Sequence, residues 1–360
     1  MKLNKKIVIP IVVCAVIVVA VVFFIAFGST KKTEKETTQA QTATNQPETT
    51  TKDPNAGKIQ SKLTGEYVSK KIANKRPVAL MYNNIINAIP HSGLSNADVC
   101  YEAPVEGSIT RIMGIFENYS KLKKMGSVRS CRIYYCGFAN EWDAIYSHFG
   151  QSKYALEYLK SGSIDTVNSF NSGNAFFRTT DRVAPHNCFI SGKSLQNEIA
   201  KKKYRTTYKK NFTQHFQFNE NTFTPNTKKV ANKVEIGYRI NAPWFTFNKK
   251  DGQYYRYQYN KKHIDDQNNK QLHCSNIIIQ FVNYTLYPDN KSLDMTLTGS
   301  GSGWYITKGK AMKLTWSKSD KLSGQTEYYN SKGEKIKLNK GKTWICVVGN
   351  EDKDRVKISK

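Results

Sequence analysis

An unbroken apolar run of 21 residues at positions 7–27 constrains this chain more than any other feature. At 1.5 Å rise per residue, an α-helix of that length matches a hydrocarbon core of about 30 Å, so the run is predicted to cross a membrane. Lys2, Lys5, Lys6 and the amino terminus precede it, which places residues 1–6 in the cytoplasm and the rest of the chain outside. Lys31, Lys32 and Lys35 reduce that asymmetry without reversing it. The run exceeds the apolar core of about 7–15 residues expected of a cleaved signal peptide. Cys14 lies inside it, behind a bulky Val13 and ahead of more apolar chain, unlike a lipid-attachment site. Residues 28–61 are rich in Thr, Gln, Lys, Glu and Asn and hold too little apolar surface to offset the entropy of ordering. They are expected to form a disordered stalk, with a reach on the order of 100 Å when extended.

The formal charge is +27, which draws in anionic partners whatever the fold. Its make-up narrows the inference, because 45 of the basic residues are Lys and 10 are Arg. Together with abundant Asn, Ile and Tyr, that imbalance reads as codon drift in an AT-rich genome. Lysine replaces arginine wherever diffuse charge suffices, but not where a planar five-donor fork must hold an oxyanion bidentately. Six arginines fall between positions 76 and 182, beside five lysines. These are Arg76, Arg111, Arg129, Arg132, Arg178 and Arg182, and they mark the candidate site.

The composition changes near position 222. Residues 62–221 mix strand-like runs at 77–82 and 109–116 with helix-like runs at 130–140, 152–160 and 194–203. Residues 222–360 carry short Tyr-, Trp-, Thr- and Ile-rich runs between glycine turns, the pattern of antiparallel hairpins. The expected fold class is α+β, a mixed α/β domain followed by a β-rich one. Trp244, Trp304, Trp316 and Trp344 are read as hairpin core rather than a sugar platform. Six cysteines follow the apolar run, with no CxxC and no staple-like spacing, so mostly free, buried thiols are expected. Cys131 and Cys136, five apart in the predicted helix, are not expected to bridge. His263 and His273 lack metal-ligand spacing, and neither a metal nor a cofactor is expected.

Four motifs carry possible chemistry. Glu102, Glu106 and Arg111 flank a strand start with Gly107 as a bend. Arg129 and Arg132 stand three apart beside Ser127 and Ser130 at a predicted helix start, where an oxyanion would meet free N–H groups and two guanidinium forks. His148 ends a predicted strand before Gly150 and the helix cap Ser152. Arg178, Arg182 and His186 share one short loop. Each has a plain structural alternative: Arg129 and Arg132 paired with Glu102 and Glu106, and both histidines as ordinary hydrogen-bonded residues.

The stretches RPVALMYNN, HSGLSNADVCYEAPVEGSITRIMGIF, GSVRSCRIYYCGFANEWDAIYSHFGQS and FFRTTDRVAPHN resemble the YerB-like bacterial lipoproteins, and so do GSGSGWYITKGKAMKLTW and YYNSKGEKIKLNKGKTWICVV. The likeness spans about residues 62–350. It implies a low-GC Gram-positive source, export, and two domains of unknown function. Relatives typically carry a lipid-anchor cysteine, whereas here the apolar run replaces it.

Three functional readings follow. In the first, the arginines at 111, 129, 132, 178 and 182, with Glu102 and Ser152, bind an anionic cell-wall polymer or a phosphate-bearing ligand. In the second, the same cleft hydrolyses or transfers on a wall glycan or phosphodiester, with Glu106 or His148 as base and His186 as acid. The third is a scaffold for membrane protein partners. Nucleic acid is not expected as a partner outside the cell.

Overall fold

In strand after strand the apolar residues run continuously instead of alternating with polar ones, which requires burial on both faces. The computed structural model describes residues 54–360. Its main feature is a mixed ten-stranded sheet. In chain order its strands are β1 (Val78–Asn83), β2 (Val99–Pro104), β3 (Thr110–Phe116), β4 (Ile145–His148), β5 (Thr166–Asn168), β6 (Asn276–Val282), β7 (Gly299–Thr307), β8 (Lys310–Lys318), β9 (Glu327–Tyr329) and β10 (Thr343–Gly349). Across the sheet they lie in the order β9-β8-β7-β6-β10-β2-β3-β1-β4-β5.

Successive residues of each strand feed two different cores. Val78, Leu80 and Tyr82 of β1, with Ile277 and Ile279 of β6, face one side. There they meet Val234, Phe245, Tyr254 and Ile358 of a second, antiparallel sheet made of 233–235, 244–248, 253–258, 261–262, 273–274 and 357–359. Ala79, Met81, Ile278 and Ile345 face the other side, against Tyr134, Tyr135 and Phe138 of helix α1 (Ile133–Asn140). Helices α2 (Lys153–Lys160) and α3 (Gly192–Lys201) complete the longer helices. The result is a β-rich body with few helices.

The hairpin reading of the second half has a local cause. Lys308 (φ 49°) and Gly309 (φ 73°) join β7 to β8, with Thr307 opposite Lys310. Two left-handed residues in a two-residue loop match the right-handed twist of the flanking strands. Trp316 and Trp344 are core residues, and Trp244 and Trp304 are half-buried.

The sheet passes straight across the change of character near residue 222. Strand β10, from the second half, pairs in parallel with β2 from the first, Trp344 lying opposite Cys100. Residues 54–360 accordingly pack as one unit.

Among the described residues no helix is long and apolar enough to cross a membrane. The predicted cytoplasmic tip at 1–6, the membrane helix at 7–27 and most of the stalk lie outside those residues.

One expectation is corrected. Helix α1 begins at Ile133, with Arg132 as its N-cap, so Arg129 and Cys131 lie in extended chain before it. Helical spacing therefore does not hold Cys131 and Cys136 apart, and their sulfurs lie 3.4 Å from each other. The oxyanion site expected at this helix start is not assembled, because the two arginines do not share its first turn.

Candidate functional site

Strands β1, β4 and β5 run parallel, and their carboxyl ends bring Asn83, His148 and Asn168 to one edge of the sheet. Crevices at the carboxyl ends of parallel strands are where open α/β sheets place ligands. At this edge β1 and β4 are bridged by the extended segment 126–131. The Arg129 amide donates to the Met81 carbonyl (3.0 Å), and the Arg129 carbonyl accepts from the Phe149 amide (3.0 Å). On either side, Asn83 N–H donates to Ser127 O and Cys131 N–H to Gly150 O, both at 2.9 Å.

Arg129 is thus fixed by its backbone while its guanidinium is not. Its Nε is buried without a hydrogen-bond partner, and no carboxylate pairs with the group among the described residues. Burial, followed by the charges of Arg132 and Arg178, holds it below the ordinary arginine range. Arg178 Nη1 donates to Asn187 Oδ1 (2.8 Å), and its guanidinium lies over the Phe149 ring at 5.2 Å. His186 Nδ1 accepts from Asn83 Nδ2 (2.8 Å), and burial and the Arg129 charge lower its pKa. Arg129, Arg178 and His186 are therefore gathered, half-buried to exposed, around uncompensated positive charge.

The other sequence candidates are engaged elsewhere. Arg132 holds Glu106 bidentately, with both bonds at 2.5 Å. Burial pushes the Glu106 carboxyl up, but the Arg132 bonds and charge outweigh it and hold the group below its usual range. Arg182 donates to the carbonyls of Ala88 (2.7 Å) and Pro90 (2.8 Å) and pairs with Asp181 and Asp266. Arg111 is buried, donates to the Ser130 carbonyl, and is brought down to about 10, first by burial and then by Arg132. Arg76 is tied to Asp143 and Asp165. The Ser152 hydroxyl caps α2 by accepting from Ala155 N–H (3.3 Å). His148 is buried, its Nδ1 is bonded to Gly150 O (2.8 Å), and burial lowers its pKa to about 4. No hydrogen bond joins Glu106, His148 and His186 to one another.

Glu102 lies at the middle of a network that sequence reasoning missed. Its Oε1 accepts from Asn84 (3.1 Å), Thr110 (2.8 Å) and Asn241 (2.8 Å), and its Oε2 from Arg256 Nη2 (2.7 Å) and Trp344 Nε1 (3.3 Å). Arg256 also donates to His263 Nδ1. Because guanidinium only donates, that contact fixes every proton down the line. His263 Nε2–H donates to His91 Nδ1 (2.7 Å), and His91 Nε2–H donates to the Asn83 carbonyl (2.6 Å). Burial favours the neutral form of both rings, taking His91 down to about 4 and holding His263 well below the ordinary histidine range. A buried ion pair spanning the two halves is thereby wired to Asn83, whose side chain meets His186. Arg256 is one of four arginines outside the 76–182 window, so arginine clustering does not mark it.

Residues 63–205 match the family model of the DUF3048 N-terminal domain, described as a protein of unknown function, and residues 234–345 match the DUF3048 C-terminal domain. A protein of Bacillus subtilis (strain 168) named "Putative lipoprotein YerB" is 30% identical over 308 residues, covering 85% of this chain and 90% of the relative. The crystal structure of YerB protein from Bacillus subtilis aligns with a TM-score of 0.76 at 29% identity, covering 84% of this chain and 100% of that one.

Proposed function

We propose, from the premise that this chain belongs to the YerB-like family built of the two DUF3048 domains, that it is a membrane-tethered extracytoplasmic protein that binds an anionic wall polymer or phosphate-bearing ligand. The lipoprotein in the relative's name supports a tethered position outside the cytoplasm, and the apolar run at 7–27 would supply the anchor here.

The observation that carries the binding reading is Arg129. A half-buried guanidinium with an orphaned Nε, no carboxylate paired with it among the described residues and a second arginine close enough to depress it is electrostatically unfinished. An oxyanion at the outer, Nη edge of the guanidinium would relieve the repulsion, the buried Nε itself being out of its reach. Arg178 and the Nε2–H of His186 offer it further donors.

Arg129→Ala, alone or with Arg178→Ala, is expected to weaken retention on teichoic-acid-bearing Gram-positive wall by about 10- to 100-fold, the worth of one or two hydrogen bonds to a charged group. Arg132→Lys should bind like wild type, because that side chain is occupied by Glu106. Wild-type retention by a folded Arg129→Ala protein would overturn the proposal.

A further inference from the structure

Two thiols meet directly beneath the segment that carries Arg129. Cys131 closes that segment, its amide bonded to Gly150 O and its carbonyl accepting from Ser152 N–H (3.1 Å). Cys136 lies in α1, packed among Tyr134, Tyr135 and Phe138. Both residues are fully buried, and their sulfurs are 3.4 Å apart, the one cysteine pair with sulfurs in hydrogen-bond contact among the described residues. A disulfide needs about 2.05 Å, so the sulfurs must close by about 1.4 Å from their 3.4 Å separation. Cys100, Cys188, Cys274 and Cys346 make no such sulfur contact.

We infer that Cys131 and Cys136 are joined by a disulfide in the mature protein, and that this bond ties the Arg129 segment to helix α1. The inference takes its oxidising surroundings from the extracytoplasmic reading above. The oxidant is a small-molecule disulfide of the glutathione class. One cysteine releases its proton to water and attacks a sulfur of that disulfide, expelling a thiolate. The second cysteine then attacks the protein sulfur of the mixed disulfide and expels the other half. Two protein S–H bonds and one S–S bond of the oxidant become one protein S–S bond and two small thiols, and two electrons pass to the oxidant. Complete burial keeps the oxidant away from the folded thiols, so the bond forms while the chain is folding.

The test refolds the full chain in detergent from denaturant with oxidised glutathione. Free thiols are then alkylated with N-ethylmaleimide in denaturant, and an unreduced digest is read by mass spectrometry. The expected result is a linked Cys131–Cys136 peptide, two hydrogens lighter than its reduced form, with alkylated Cys100, Cys188, Cys274 and Cys346. In Cys131→Ser, Cys136 should be alkylated, and in Cys136→Ser, Cys131 should be, with no new link elsewhere. Alkylation of both Cys131 and Cys136 in wild type, or a link from either to another cysteine, would overturn the inference. Because the oxidant is added in vitro, such a failure removes the bond alone; the anion site stands or falls by its own binding assay.

Discussion

Replacing Glu102 with leucine is expected to lower the unfolding free energy by about 3–5 kcal/mol, the cost of leaving one partner of a buried ion pair without the other. The magnitude follows from where the charge sits. Glu102 and Arg256 are both completely buried, 2.7 Å apart, and no solvent is available to take over from the lost carboxylate. The same change strips Asn84, Thr110, Asn241 and Trp344 of an acceptor. Arg256 would keep its bond to His263 and its positions over the Trp344 ring at 4.6 Å and the Phe245 ring at 5.9 Å, but no carboxylate. Denaturant unfolding measures the loss. Combining Glu102→Leu with Arg256→Met should restore part of it, because the double change leaves no unpaired charge. A loss below about 1 kcal/mol would mean that the pair does not join the two halves as described.

Acidification should weaken the fold through a different carboxylate. Glu141 is fully buried and accepts from Lys318 (2.6 Å), His215 (2.9 Å), Tyr101 (2.9 Å) and Thr326 (2.8 Å). Burial pushes its carboxyl up, yet Lys318 and His215 more than offset this and bring it from 4.5 to about 2. A depressed folded pKa gives stability that is complete above the unfolded value and disappears as pH falls through the folded one. The window therefore runs from about pH 5 down to about pH 2, and its depth is about 3 kcal/mol. Other carboxylates titrate there too, so the informative quantity is the difference between wild type and Glu141→Gln. That difference should shrink by about 3 kcal/mol across the window. A difference independent of pH would contradict the assignment.

Local elements were legible because their causes are local. The runs at 77–82 and 109–116 became β1 and β3 within a residue, and Ser152 caps α2 as its position implied. The start of α1 was misplaced because Arg129 and Cys131 are drawn into sheet hydrogen bonds with Met81 and Gly150, which no nearby residue announces. The guanidinium fork serves more than one purpose in this fold. The fork that suits a foreign oxyanion also suits Glu106 at Arg132, Asp165 at Arg76 and two backbone carbonyls at Arg182. Composition cannot separate these uses. Nor could it pair Glu102 with Arg256, because they stand 154 positions apart and only the second sheet folding onto the first brings them together.

Arginine footprinting tests the binding claim most directly. The full chain would be treated with phenylglyoxal, with and without teichoic-acid-bearing wall, and the modified residues mapped by mass spectrometry. Arg129 and Arg178 should react in the free protein and be protected by the wall, while Arg76 and Arg132, already held by carboxylates, stay unreactive in both. Equal modification of Arg129 and Arg178 with and without the polymer would contradict the account.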